Sequence, residues 1–357
     1  MDKTLHFIYA VPESINPFYY RQDKITTKYN IMWPSYRKGK NISWPKPNAA
    51  PFSITFHLIK ELSKIYKIKL YDWKEKGVCN IKKNDILLFQ PLPDFDLWNK
   101  KSIWQINKSS ISWRTLETYP ECDNIAILPY NHPANESLWL KELFEKYTKK
   151  NIFICGEYWF DTWDNSPYNK LLNERPLQIN MGIDPKNYPY IKDRINLSGK
   201  RKFLYIGNTQ TWKNTIQLEL IAKVYPDFQG GYISSGIING WKKIADYADL
   251  TPEYMQSIIN EYDFFLSLSS GDAQATTILE NICFGMCIAC TPESGYNYSS
   301  IIPMHISDID YNYQQIKKMQ EMDEEEYFRR AKDNLYNIEN FHNWKDICSK
   351  IIAYINK

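Results

Sequence analysis

Residues 271–285 read GDAQATTILENICFG, and the step within them from small polar residues to apolar ones decides how the chain folds. Ile278, Leu279, Ile282, Cys283 and Met286 recur at helical spacing, which predicts a helix beginning near Thr276 or Thr277. Upstream, Phe264, Phe265 and Leu266 form an apolar run that reads as a buried strand. The unit is strand, loop, helix, with Asp272 in the loop and Glu280 in the first turn of the helix. Thr277 and Glu280 also fit a capping box, in which hydroxyl and carboxylate satisfy free amides at the helix start. Capping alone would account for Glu280, and Asp272 would then be an ordinary loop acid.

The same alternation extends in both directions. LHFIYAV (5–11), KIKLYDW (67–73), DILLFQP (85–91), NIAILPY (124–130) and NIFICGEYW (151–159) read as strands, with helical periodicity in 51–66 and 138–150. The second half repeats the arrangement with strands KFLYIG (202–207), GGYISSG (230–236) and MCIAC (286–290), and helices at 215–225 and 252–262. Its tail from Asp323 to Lys357 reads as helix, with Glu325 and Glu326 four before Arg329 and Arg330. Strands separated by helices imply parallel sheets, so the expected fold is α/β with two Rossmann-like domains. The polar, proline-bearing stretch 182–201 has the character of a linker. We place an N-terminal domain at 1–188, a C-terminal one at 189–335, and a final helix at 336–357 that packs back toward the first.

At 357 residues the chain exceeds what one core usually serves. It has no apolar run of the length of a membrane span, and its start lacks the pattern of a secretory signal, so a cytoplasmic setting is expected. Seven scattered cysteines suit a reducing compartment. Cys283, Cys287 and Cys290 lack the paired spacing of a zinc site and read as buried small residues. A net charge of +3 argues against a nucleic-acid partner. Residues 20–48, however, carry Arg21, Lys24, Lys28, Arg37, Lys38, Lys40 and Lys46 against Asp23 alone. That run is either a solvated loop or a surface for an anionic acceptor or for headgroups at the inner face of a membrane.

In open parallel sheets ligands bind beyond the carboxyl ends of the strands. Three segments of the second half follow strands there: GNTQTWK (207–213), SSGDAQATT (269–277) and TPESG (291–295). Gly207 admits close backbone approach, Lys213 supplies a point charge, and the amides at the start of the 276 helix favour an anion. A diphosphate fits such a place without a metal.

Residues 262–295 resemble the nucleotide-sugar region of GT-B glycosyltransferases, particularly glycosyltransferase family 4. That family has two glutamates eight apart with a glycine five beyond the second, positions filled here by Asp272, Glu280 and Gly285. Gly207 and Lys213 keep the spacing of its phosphate-binding glycine and lysine. NMGID (180–184) is similar to its interdomain Asn-Gly-Val-Asp stretch, and FHNWK (341–345) to its aromatic C-terminal helix. The resemblance covers about 180–350 and is weaker before it.

The resemblance implies a GT-B fold with two domains facing across a cleft, the donor held mainly by the second and the acceptor by the first. Glu280 would accept from the ribose hydroxyls, while Lys213 and the amides of Ala275, Thr276 and Thr277 would hold the diphosphate. Asp272 would touch the donor sugar, and His132 is similar in place to a histidine that faces it. Glu157 or His132 would serve as general base if the reaction inverts, although the family implies retention. Tyr247 and Leu250 are candidates for contacts to the base of a UDP- or GDP-sugar. No cofactor or metal is implied beyond that donor. The acceptor would be a glycan or glycolipid of bacterial surface polysaccharide, lipopolysaccharide or capsule. Three positions depart from the pattern: Asp272 replaces glutamate, Asn208 a common basic residue, and Asn214 a common glycine. Arg201, Lys202 and Arg175 are candidates to replace the missing cation. Rival readings are a metal-dependent GT-A transferase using Asp94 and Asp96 or Asp308 and Asp310, a sugar-nucleotide epimerase or phosphorylase of similar fold, and a carbohydrate-binding protein.

Overall fold

The structure, a computed structural model, describes residues 3–10, 50–92, 94, 106–119, 125–127, 142–143, 151–166, 168–171, 174–248 and 250–356. His132, Asp96 and the basic stretch 20–48 lie outside them, as does most of the helix expected at 138–150. The chain divides into two compact units, one of residues 1–155, 160–179 and 344–357, the other of 156–159 and 180–343.

The first unit is a parallel sheet of β1 (Thr4–Tyr9), β2 (Lys67–Asp72), β3 (Ile86–Phe89), β4 (Ile125–Ile127), β5 (Asn151–Cys155) and β6 (Leu177–Ile179), in the order β2-β1-β3-β4-β5-β6. Leu5, Phe7, Ile8 and all four residues of β3 are fully buried, as strands covered on both faces must be. Helices α1 (Ala50–Leu62) and α2 (Ile111–Thr118) belong to this unit. The final helix of the chain, Trp344–Ile355, packs on α1 within it, with the Trp344 and His57 rings stacked 5.1 Å apart.

The second unit contains α3 (Glu157–Asp161) at its first entry point, which runs on into the first unit, and then β7 (Phe203–Ile206), α4 (Thr215–Val224), β8 (Gly230–Ile233), β9 (Lys242–Ala245), α5 (Pro252–Glu261), β10 (Phe264–Ser267), α6 (Thr276–Cys283), β11 (Cys287–Cys290) and β12 (Ile302–Pro303). Helices α7 (Ile309–Glu321) and α8 (Glu324–Phe341) follow, and Trp344–Ile355 is α9. The sheet order is β12-β11-β10-β7-β8-β9, all parallel. Strand order reverses between β7 and β10, the doubly wound arrangement whose ligand crevice opens at that reversal. Phe203, Phe264, Leu266, Leu218 and Tyr327 pack the core beneath it.

Two parts differ from the expectation. The tail is two helices, broken at His342, whose ring turns inward. The supposed linker is pinned: Lys192, 1% exposed, donates to the carbonyls of Ile259 (2.8 Å) and Tyr262 (2.7 Å) at the end of α5. Asp263 sits 3.4 Å away as its counter-ion, and burial still lowers the Lys192 amine to about 8. Gly285, at φ +95, lets the chain at Tyr190 and Lys192 lie on it, which a side chain there would obstruct. Cys283, Cys287 and Cys290 are buried free thiols, as expected.

Candidate functional site

The reversal between β7 and β10 sets two loops side by side, and backbone bonds join them. The Trp212 carbonyl accepts from Ser269 Oγ and from the Ser270 amide, both at 2.8 Å. Across this seam Lys213 pairs with Asp272, the two side chains 17% and 19% exposed, and Ser269 Oγ lies 3.3 Å from the Asp272 carboxylate. The third loop is fastened to the second, for the Asp272 amide donates to the Glu293 carbonyl at 2.8 Å. Gly295, at φ +93, packs so tightly that a methyl there would run into the Ala273 carbonyl. All three segments read from the sequence therefore meet at one place.

The helix start differs in detail. Helix α6 begins at Thr276 with Ala275 as its cap and no side-chain capping bond. Glu280 is therefore in the second turn, and the capping box does not form. The cause lies in the third loop: the Ala275 amide donates to Ser294 O (3.4 Å) and its carbonyl accepts from Tyr296 OH (2.9 Å), which fixes the turn one residue before any threonine. Of the three amides expected to face an anion, that of Ala275 is thus spent, and those of Thr276 and Thr277 have no partner among the described residues. They carry the positive end of the α6 dipole.

Glu280 lies one turn along α6 from Thr276, about 6 Å by helix rise. Its Oε2 is buried without a hydrogen-bond partner among the described residues. Burial pushes the carboxyl up to about 7, and the Tyr188 hydroxyl beside it opposes that rise. The Tyr188 phenol is in turn raised, by burial first and by Glu280 second. A carboxylate so placed lacks donors, which is what a pair of ribose hydroxyls supplies.

The other expected residues fall as follows. Gly207 follows β7, and a side chain there would strike the Tyr205 hydroxyl, which donates to Asn208 O at 2.5 Å. Asn208 uses its own carboxamide oxygen to accept from the Gln210 amide (3.1 Å). Tyr247 is 79% exposed on the loop after β9, two strands from β7, and neither it nor Leu250 joins the bonds that tie the three loops. Glu157 accepts from Asn180 Nδ2 (2.8 Å), Tyr298 OH (2.8 Å) and Gln274 Nε2 (3.1 Å), so its oxygens are taken up within the fold.

The proposed replacement cations are elsewhere. Arg201 and Lys202 precede β7, a strand's length of about 13 Å from Gly207; Arg201 donates to Met322 O and Lys202 to Glu261. Arg175 lies over the Phe160 ring and donates to its carbonyl, in the first unit. Asp308 caps α7, accepting from the Tyr311 amide at 2.9 Å, which explains that Asp-x-Asp triplet as a helix start.

Trp212, Trp159 and Tyr158 carry no sequence signal, and Asn214 only a faint one. Trp212 acts through its carbonyl. Asn214 stands at φ 52, the left-handed region, where its Nδ2 donates to Leu268 O (3.0 Å) and Ile306 O (2.8 Å). Trp159 donates to Asp272 O at 2.5 Å, and Tyr158 to Glu293 at 3.2 Å. The departure from glycine at 214 was the one available hint, because asparagine tolerates the left-handed region.

No protein-family model matches the chain, and no curated protein matches it. Solved structures do. A UDP-forming alpha,alpha-trehalose-phosphate synthase from Burkholderia xenovorans is similar at a TM-score of 0.59 and 9% identity, covering 100% of this chain and 99% of that one. A glycosyltransferase from Rickettsia africae is similar at 0.57 and 10% identity, covering 99% and 98%. A point variant of S. aureus TarM, solved with UDP, alpha-GlcNAc-glycerol and fondaparinux, is similar at 0.52 and 11% identity. That match covers 77% of this chain and 56% of TarM, so the chain spans little more than half of TarM's length. At such identities the likeness shows the fold: α/β, of the GT-B glycosyltransferase type.

Proposed function

We propose that the chain is a glycosyltransferase that moves a sugar from a nucleoside-diphosphate sugar, a UDP-sugar first among candidates, to a glycan or glycolipid acceptor. One observation carries this reading. At the strand-order reversal of the second sheet stand the Lys213–Asp272 pair, two amides at the start of α6, and, one turn further, a carboxylate short of donors. Lys213 and the amides suit a diphosphate, Asp272 a sugar hydroxyl, and the carboxylate a ribose. UDP is placed first because the TarM variant was solved with UDP and the Burkholderia synthase is UDP-forming.

In this reaction Lys213 and the Thr276 and Thr277 amides stabilise charge on the departing diphosphate without metal, and Asp272 orients the sugar. Since Asp272 already neutralises much of the Lys213 charge, the helix amides carry a large share. Retention of anomeric configuration follows the resemblance to family 4. The acceptor would belong to bacterial surface polysaccharide, lipopolysaccharide or capsule. The basic stretch 20–48 follows β1, which borders the strand-order reversal of the first sheet, and would face the acceptor's anionic groups or a membrane surface. No helix among the described residues is long and apolar enough to cross a membrane.

The test is a binding panel of UDP, GDP, dTDP, CMP and ADP in the presence of EDTA. One nucleoside diphosphate is expected to stabilise the protein, by about 2.7 kcal/mol at a hundredfold excess over Kd. Glu280→Ala is expected to weaken it about 10- to 100-fold, the loss of hydrogen bonds to a charged group. If no nucleotide binds the wild type, or binding requires a divalent metal, the reading fails.

A further inference from the structure

The residues around Glu157 form a chain of hydrogen bonds whose proton count does not balance in the ordinary states. His342, fully buried, has Nδ1 2.6 Å from Met181 O and Nε2 2.7 Å from Tyr298 OH. Tyr298 OH lies 2.8 Å from Glu157 Oε1. A carbonyl oxygen only accepts, so Nδ1 carries a hydrogen. The remaining two links each need one more. A neutral imidazole, a phenol and a carboxylate bring two hydrogens to three links, so the chain holds one extra proton and is neutral as a whole. Placing it on Glu157 would set a carboxylic acid against two other donors, Asn180 Nδ2 and Gln274 Nε2. Glu157 oxygens already met by those donors act as acceptors, which puts the extra hydrogen on the His342 ring.

This chain touches the donor loop at Gln274. Its Nε2 reaches Glu157 Oε2 (3.1 Å), Asn180 Oδ1 (3.4 Å) and Gly295 O (3.3 Å), and its Oε1 accepts from the Met181 amide at 2.6 Å. Gln274 stands between Asp272 and the Thr276 amide, so holding its carboxamide holds both. The neighbouring bond from Trp159 to Asp272 O closes the loop from the same segment as Glu157.

We propose that Glu157, Tyr298 and His342 form a proton-sharing clamp, imidazolium, phenol and carboxylate, that positions the 272–277 loop through Gln274. Glu157 is then a positioning residue and not the base that removes the acceptor's proton. The catalytic consequence rests on the transferase reading; the clamp itself does not.

The first test uses the intact wild-type chain. Nitrogen-15 NMR near neutral pH is expected to show both ring nitrogens of His342 protonated, and Tyr298→Phe is expected to return the ring to a single proton. A bare nitrogen on His342 in the wild type overturns the clamp. The second test is kinetic: Glu157→Gln is expected to raise the donor KM about tenfold with kcat within about threefold, whereas loss of a general base costs about 100-fold or more in kcat at unchanged KM. That latter outcome would return Glu157 to the base role and refute the positioning one. Failure of the wild type to use any nucleotide sugar would count against the transferase reading alone, since the NMR result decides the clamp without it.

Discussion

Glu157 and Glu280 are two acids of one unit, and their oxygens tell opposite stories. Glu157 accepts three hydrogen bonds from Asn180, Tyr298 and Gln274. Glu280 has one oxygen buried with no donor among the described residues, and burial raises its carboxyl to about 7. Buried polar groups are almost always satisfied, so a filled carboxylate is part of the framework while an unfilled one marks where a ligand's donors belong. From the sequence both were candidates for the chemistry. Counting donors separates scaffold from contact.

The largest effect that would break this contrast is on stability. Glu157→Ala takes away the acceptor shared by Asn180, Tyr298 and Gln274 and should cost about 3–5 kcal/mol, the range for removing one partner of a buried charged network. Glu280→Ala removes a group that the fold barely satisfies, and its cost should stay under about 1 kcal/mol. Urea unfolding of both variants measures the difference. Equal losses would mean that Glu280 is as much a framework residue as Glu157.

Much of this arrangement could be read in advance, and the reasons are local. Strands such as Phe264–Ser267 and Cys287–Cys290 are buried along their whole length, so they stand out as unbroken apolar runs. The three loops were legible because each follows such a strand. Edge strand β9 was not, since KKIA is half exposed and carries two lysines. Helix α7 is hidden in the sequence because Asp308-Ile309-Asp310 has the form of a metal-binding triplet as much as that of a helix start. The Glu157 clamp left no trace, for it joins residues 157, 180, 274, 298 and 342, and no periodicity relates positions so far apart. Trp212 was silent for another reason, as any residue offers the same carbonyl.

A smaller effect sharpens the same contrast through pH. The Glu280 carboxyl moves from an ordinary 4.5 to about 7 on folding. Between those values the folded state binds more protons than the unfolded, so stability falls as pH rises through that window. Glu280→Gln removes the titration. Its stability relative to wild type should therefore climb by about 1–3 kcal/mol between pH 5 and 8 and then level off. Thermal melts of the two proteins across that range measure it, and parallel curves would show that Glu280 is not held in a donor-poor place.

The smallest effect concerns Asn214, which holds the turn beside Lys213 as Glu157 holds the 272–277 loop. Its backbone is left-handed at φ 52 and its carboxamide fills two carbonyls, Leu268 and Ile306, that come from different loops. Glycine keeps the backbone but loses both bonds; alanine loses the bonds and also strains the backbone, by about 1 kcal/mol. The Asn214→Ala variant should therefore be about 1 kcal/mol less stable than Asn214→Gly, with both below wild type. Because Lys213 is the preceding residue, both should bind the preferred nucleotide two- to threefold more weakly, roughly 0.5 kcal/mol. If Ala and Gly behave alike, the left-handed turn is not what fixes Lys213, and the two carbonyl bonds alone hold this segment in place.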